Sequence, residues 1–99
     1  MKDYELMLLV KQGLSISESS TMKDDEIKMW IDAGVADLNR QGITTKLDNA
    51  LVKSAIVMYV KSNFGNVDIK EKELSQRTYN LLCNNLSLSS EYKVVDDNA

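Results

Sequence analysis

The chain has 99 residues, a formal net charge of −3 and a pI near 4.8. This length predicts one domain, and 43% hydrophobic with 27% charged residues is typical of a globular protein. With no proline and only four glycines, the composition favours long helices over a turn-rich β fold. A single cysteine excludes an internal disulfide and favours a reducing compartment.

The first helix is predicted over residues 3–12, where a wide apolar arc is typical of burial on more than one side. Gly13 is the predicted stop. Leu14 and Ile16 then alternate in a segment expected to be extended, with both side chains in the core. A serine-rich connection, residues 15–21, is too short to be a domain linker. The N-terminal apolar run of residues 6–10 is too short for a signal peptide or a membrane span, so we expect no membrane association.

The second helix is predicted from Asp24 to about Gln41. Thr21 precedes Asp24 by three residues, in a loose resemblance to a capping box, and residues 24–26 place three carboxylates in the first turn. The apolar positions of this segment fall on one helical face. They are Ile27, Trp30, Ile31, Gly34, Val35 and Leu38.

Two glycines of this region have predicted roles. Gly34 lies on the apolar face, which indicates that another helix approaches closely at this position. That contact must offset the loss of about 1 kcal/mol of helix propensity relative to alanine. Gly42 is well placed to be the residue that ends the helix in a left-handed conformation. Ile43 would then contact Leu38 in a Schellman closure.

The third and central helix is predicted within residues 47–65, the longest apolar segment of the chain. Asp48 is the predicted N-cap, Leu47 is expected to pack on Val52 as a hydrophobic staple, and Gly65 is the predicted stop. The apolar arc is broad. It comprises Leu51, Val52, Ala55, Ile56, Tyr59 and Val60, with Phe64 at its end.

A fourth helix is predicted to begin at Asp68, with Glu71 three residues on, and to end near residues 86–88. Its predicted stripe is Leu74, Thr78, Leu81, Leu82 and Asn85, with Tyr79 and Leu86 beside it. Residues 90–99 have no helical pattern and are expected to fray at the end. The predicted fold is therefore all-α, a compact bundle of about four helices over residues 1–88 with a flexible C-terminal tail, residues 89–99.

The residues needed for common chemistry are missing. The chain has no histidine, which removes the commonest general base and the commonest neutral metal ligand. Cys83 has no histidine partner and is predicted to be a buried structural thiol. The carboxylates of residues 24–26 suit a helix start better than a metal site. The isolated glycines form no phosphate-binding loop. We expect no enzyme activity, no catalytic residues, no cofactor and no metal.

Binding functions remain open. An acidic pI and the lack of a basic helix weigh against specific DNA recognition. Trp30 could be a partner hot spot, although its place on the apolar stripe favours the core. Residues 1–37 hold four lysines and eight carboxylates, whereas residues 38–77 carry a net charge of +3. This asymmetry fits contact with copies of the chain or a partner, and it also fits a mixed solvated surface.

The order of segments resembles the small head–tail connector, or adaptor, proteins of tailed bacteriophages and prophages, often labelled DNA-packaging proteins. The likeness spans about residues 5–92, and its motifs are structural rather than catalytic. The stretches that carry it are Val10–Ile16, Asp25–Ile27 with Ile31–Leu38 and Gly42–Ile43, and Ala55–Gly65 with Tyr79–Leu82 and Leu86–Tyr92.

The resemblance implies a four-helix protein that forms a ring under the portal, extends the DNA channel and provides a platform for the next neck, stopper or tail component. DNA would pass through the ring without specific readout. The C-terminal segment would reach the portal, here about residues 89–95 with Tyr92, Val94 and Val95 as anchors. The protein would reside in the virion neck, and in the host cytoplasm before assembly. The alternatives are a small helical nucleic-acid-binding regulator and a generic cytoplasmic helical interaction module.

Overall fold

The computed structural model describes residues 3–46, 49–65 and 67–88. These residues form four helices and no strand, so the all-α prediction is confirmed. The helices lie close to their predicted positions. They are α1 (Asp3–Gly13), α2 (Asp24–Arg40), α3 (Ala50–Asn63) and α4 (Ile69–Leu88).

Helix α3 lies at the centre of the fold, as predicted. It packs on α1, α2 and α4, whereas α4 packs chiefly on α3. All four helices contribute to one core, which Ile43 and Phe64 complete from the connections. The buried apolar residues are Leu6, Val10, Ile27, Ile31, Leu38, Ile43, Val52, Ala55, Ile56, Val60, Phe64, Tyr79, Cys83 and Leu86.

Helix α1 ends at Gly13, as predicted, but Gly13 is not the residue that closes it in a left-handed conformation. Ser15, not Gly13, has the left-handed conformation, with φ of +59°. The Ile16 amide donates to the Lys11 carbonyl at 2.8 Å and the Ser15 amide to the Gln12 carbonyl at 3.2 Å, which is a Schellman closure. Ile16 still packs against the core. The expected extended segment is therefore a tight turn.

Gly13 and Gly34 instead permit close contact with α3. A Cβ on Gly13 would lie 2.8 Å from Val57 Cγ1, and a Cβ on Gly34 would lie 3.0 Å from Tyr59 Cδ1. Both distances are shorter than a comfortable carbon–carbon contact of about 3.5–4.0 Å. The prediction that Gly34 marks a close helix approach is thus confirmed.

Helix α2 has an unconventional start and a predicted end. Lys23 occupies its N-cap position without a side-chain hydrogen bond, so the capping box suggested by Thr21 is not formed. At the other end Gly42 has φ of +84°, and the Ile43 amide donates to the Leu38 carbonyl at 2.9 Å. Leu38 and Ile43 are both fully buried, which confirms the Schellman closure.

The N-cap of α3 is Asn49, not Asp48. The Asn49 side-chain oxygen accepts a hydrogen bond from the Leu51 amide at 2.8 Å, and its backbone is extended. Asp48 and Leu47, with its predicted staple contact, lie outside the described residues. Adjacent Asp and Asn residues are nearly equivalent caps, so the sequence alone does not choose between them.

Lys11 anchors the serine-rich connection. Its side chain is 5% exposed, and its amine lies 2.8 Å from a carboxylate oxygen of Asp24. The amine also donates to the backbone carbonyls of Glu18 and Ser20, at 3.2 and 2.8 Å. These bonds compensate the lysine for its lost hydration. They join the end of α1 to the start of α2.

Candidate interaction surfaces

Helix α4 carries apolar side chains on two opposite faces. One face packs into the bundle through Ser75, Tyr79, Cys83 and Leu86. The other, here called the outer stripe, consists of Leu74, Leu81 and Leu88, which are 63%, 64% and 84% exposed. Of the predicted stripe from Leu74 to Asn85, Leu82 packs against the core, whereas Leu74 and Leu81 are exposed. The buried face is the one on which Tyr79 and Leu86 lie.

The orientation of α4 is set by Tyr79. Its ring makes an edge contact with Tyr59 of α3 at 5.2 Å between ring centroids. Its hydroxyl donates to Asp37 Oδ2 of α2 at 2.6 Å. A leucine on the same face could not make this bond, so the contact selects the Tyr79 face for burial and turns the outer stripe to solvent.

Two of the three leucines of the outer stripe, Leu81 and Leu88, lie in a part of α4 without charge. No Asp, Glu, Lys or Arg occurs from Thr78 to Ser90, although 27% of the chain is charged. Asn84 and Asn85 lie beside Leu81 and Leu88 and are exposed. Depletion of charge around exposed apolar side chains is typical of the centre of a protein–protein interface. In the sequence, a leucine at every seventh position and a run without charge are compatible with this surface, but they do not show which face of α4 is exposed.

A groove between α1 and α3 is the second candidate surface. Its volume is about 760 Å³. Lys53, the nearest charge, lies 3.9 Å from Glu5 of α1, so that charge is partly balanced. The groove is lined by Leu9, Gln12, Gly13, Ala50, Lys53, Ser54, Val57 and Met58. We call it the α1–α3 groove.

The outer stripe and the α1–α3 groove lie on different sides of the molecule. Val57 faces the groove, whereas Tyr59 faces Tyr79 of α4. Two residues along an α-helix differ by about 200° around its axis. Helix α3 therefore separates the two surfaces within one chain.

A polar cluster joins α2 to α4. Besides the bond from Tyr79, the Asp37 carboxylate accepts hydrogen bonds from Arg40 at 2.7 Å and from Gln41 at 2.9 Å. Burial raises the pKa of Asp37, but these hydrogen bonds outweigh burial and leave the pKa below its ordinary value. Burial, then the bond to Asp37, raises the pKa of Tyr79. The cluster stabilises the fold and keeps Tyr79 neutral.

Cys83 lies beside this cluster. It is 4% exposed, and its sulfur accepts a hydrogen bond from Gln41 at 3.6 Å. Burial is the main reason that the pKa of the thiol is raised. A buried thiol with a raised pKa is a poor nucleophile, because the thiolate is the reactive form. The prediction of a buried structural cysteine is confirmed.

The other residues considered from the sequence have structural contacts. Trp30 is partly buried and packs against the core, 6.5 Å from the Tyr59 ring. Asp24 is paired with Lys11, in the first turn of α2. Among the residues that the structure describes, no acidic, cysteine or histidine cluster could hold a metal ion. Within the same ranges, no helix has the length and apolar character of a membrane span.

The predicted portal anchors Tyr92, Val94 and Val95 lie outside the described residues. Of the two lysines that flank the apolar arc of α3, Lys53 lines the α1–α3 groove and Lys61 lies 3.9 Å from Glu71 of α4. Both are near helix–helix junctions rather than in a basic patch.

Comparison with known proteins agrees with the resemblance seen in the sequence. A family model described as phage connector protein matches residues 6–93. No curated protein and no solved structure matches the chain.

Proposed function

The chain belongs to the phage connector protein family, and from this we propose that it is a structural ring component beneath the portal. The match over residues 6–93 is the observation that carries the proposal. The ring would extend the DNA channel and support the next neck, stopper or tail component. The protein acts by assembly and docking, without catalysis.

The surface of the bundle supports assembly. Soluble monomers rarely expose large contiguous apolar patches, and α4 exposes three leucines along one line. A ring needs two different surfaces on each subunit. Neighbouring subunits in a closed ring are related by a rotation, so one face of each subunit contacts a different face of its neighbour. The outer stripe and the α1–α3 groove are two such faces.

We assign portal docking to the tail. In this proposal residues 1–88 are the helical domain and residues 89–99 the docking segment, with Tyr92, Val94 and Val95 as anchors. These three side chains are the only bulky apolar ones in an otherwise polar segment. Fixing such a segment on a partner costs conformational entropy, and the free energy of its contacts with the portal must outweigh that cost.

Passage of DNA fits the charge of the chain. The net charge is −3, and tight phosphate binding requires clustered lysine and arginine. DNA would then move through the ring without adhering to it. The protein would be present in the host cytoplasm before assembly and in the virion neck afterwards.

The test is to mix the chain with portal and to image the product by negative stain. We expect a ring of added density on the portal for the full chain, and loss of binding on deleting residues 89–99. A shorter deletion, of residues 96–99, keeps the three anchors and should bind as the full chain does. Full binding by the longer deletion would overturn the tail assignment, and portal without added density would overturn the ring.

A gel shift separates this proposal from a nucleic-acid-binding regulator. We expect no shift of duplex DNA by the full chain even at low salt, where phosphate contacts are strongest. A salt-sensitive shift would favour the regulator instead.

A further inference from the structure

We propose that the outer stripe of α4 docks into the α1–α3 groove of a second copy of this chain, and that this contact joins neighbouring subunits. The proposal rests on the proposed ring function, which it makes specific by naming the two surfaces and their residues. The occupant of the stripe is thus a second copy, rather than the portal or the tail of the same chain.

The stripe is not needed to complete the fold. Tyr79, Cys83 and Leu86 already bury the opposite face of α4. Leu74, Leu81 and Leu88 are spaced by seven residues, so they form a line about 21 Å long on the helix surface. A line of leucines with this repeat is the pattern by which one helix packs against another.

The groove has the complementary shape and chemistry. It is concave and lies between two helices, with apolar contributions from Leu9, Val57 and Met58. Its polar positions include Gln12 and Ser54, which could pair with Asn84 and Asn85 beside the stripe. Since Lys53 already lies near Glu5, docking the part of the stripe that carries no charge, from Leu81 to Leu88, leaves no unpaired charge to desolvate there.

The relative position of the two surfaces makes the contact intermolecular. Helix α3 separates them, because Val57 faces the groove and Tyr59 faces α4. A stripe therefore reaches only the groove of another molecule. The contact leaves a free stripe at one end of the pair and a free groove at the other, which is the condition for a head-to-tail ring.

The small size of the surfaces predicts weak pairing. A helix face about 21 Å long and about 10 Å wide is smaller than the roughly 800 Å² per partner of a standard stable interface. In a ring each subunit uses its stripe on one side and its groove on the other, so the buried area per subunit is doubled. We expect dilute chain to be monomeric and assembly to require high concentration or a portal.

Cysteine cross-linking tests the pairing of surfaces. In a Cys83→Ala background, Asn85→Cys marks the stripe and Ser54→Cys marks the groove, and both native residues are exposed. A short bis-maleimide should join the two single-cysteine chains to each other when they are mixed at high concentration. The double variant should give a ladder of oligomers. Met22→Cys, at a side chain 91% exposed and outside both surfaces, is the matched control for Ser54→Cys.

A second measurement guards against effects on folding. Leu81→Ser should leave the thermal midpoint nearly unchanged, and should weaken association at least about tenfold, because burying a leucine contributes more than a factor of ten in binding. Met22→Ser is the control and should associate as the native chain does.

Each outcome is decisive. Cross-linking of Asn85→Cys to itself in preference to Ser54→Cys would mean that two α4 helices pair symmetrically, which overturns the proposal. Rings on portal without a Ser54–Asn85 cross-link would overturn the named contact and leave the ring function standing. No rings and no cross-link at any concentration would overturn both.

Discussion

Helices α3 and α4 bury four residues each but have opposite relations to solvent. Helix α3 is surrounded by the other three helices, and four of its 14 residues are buried. Helix α4 is longer, with 20 residues, yet it has one main partner and leaves Ile69, Leu74, Leu81 and Leu88 more than 60% exposed. Helix α3 has more packing partners and a more apolar sequence than α4, and a larger share of its residues is buried.

This difference separates two uses of an apolar side chain. In α3 a buried side chain such as Ile56 or Val60 stabilises the fold, because its removal leaves a cavity. On the outer face of α4 a leucine contributes little to the fold and is available for association. Substitutions in the two helices should therefore affect different measurements.

The largest effect is expected from Ile56→Ala in α3. Ile56 is fully buried, so the substitution should lower the free energy of unfolding by about 2–5 kcal/mol through lost burial and a residual cavity. Urea denaturation followed by circular dichroism measures it. Ile69→Ala in α4 is the matched control, since Ile69 is 71% exposed and should change stability by less than about 0.5 kcal/mol. Equal losses at the two sites would contradict the comparison.

The inner face of α4 should respond to Tyr79→Phe. The substitution removes the bond from the Tyr79 hydroxyl to Asp37, 2.6 Å long at a residue 2% exposed, while the ring contact with Tyr59 remains. We expect a loss of about 1–2 kcal/mol in the free energy of unfolding. Tyr4→Phe is the control, because Tyr4 is 68% exposed and should lose almost nothing.

The same bond predicts how stability depends on pH. The pKa of Asp37 is lowered in the folded chain from an ordinary value of 3.8, because hydrogen bonds from Tyr79, Arg40 and Gln41 outweigh the effect of burial. The resulting stabilisation is complete above that ordinary pKa and is lost as the pH falls through the lower, folded-state pKa. Denaturation curves across this range should show a smaller acid-dependent loss for Tyr79→Phe than for the native chain. An equal loss would mean that Tyr79 does not influence Asp37.

A smaller effect is expected where α2 meets α3. Alanine is the better helix former by about 1 kcal/mol, but the Cβ of Gly34→Ala would lie 3.0 Å from Tyr59 Cδ1. Tyr59 is held between Trp30 and Tyr79 and has little room to move. We expect a net loss of about 1 kcal/mol. Ala36→Gly, at an exposed site of the same helix, is the control and measures the difference in helix propensity alone. A gain in stability for Gly34→Ala would show that the contact between Gly34 and Tyr59 is loose.

These contacts show where sequence patterns suffice. The helices of this fold follow from apolar periodicity and glycine positions, and the closure at Gly42 was predictable because Leu38 and Ile43 are spaced for it. The residue that closes α1 was not predictable, because Gly13 lies against Val57 and Ser15 takes the left-handed conformation. A glycine in a sequence does not show which of its two uses the fold needs.

The face of α4 was the harder problem. Its sequence contains two apolar stripes, and periodicity alone ranks the leucine-rich one first. The buried stripe includes Ser75 and Cys83 and depends on a bond between residues 42 positions apart, Tyr79 and Asp37. Such a tertiary contact has no local signal. The candidate surface became visible only when the helix orientation was known.

The smallest effect on stability is expected on the outer stripe itself. Leu81→Ala should change the free energy of unfolding by less than about 0.5 kcal/mol, because Leu81 is 64% exposed. Leu86→Ala, five residues further along α4 and fully buried, should cost about 2–5 kcal/mol. The two substitutions remove the same atoms from the same helix. The difference between their free energies of unfolding, measured by denaturation, therefore reports which side chain faces the core. If Leu81→Ala were the more damaging in dilute monomer, the outer stripe would be part of the core, and its role in joining subunits would fail with it.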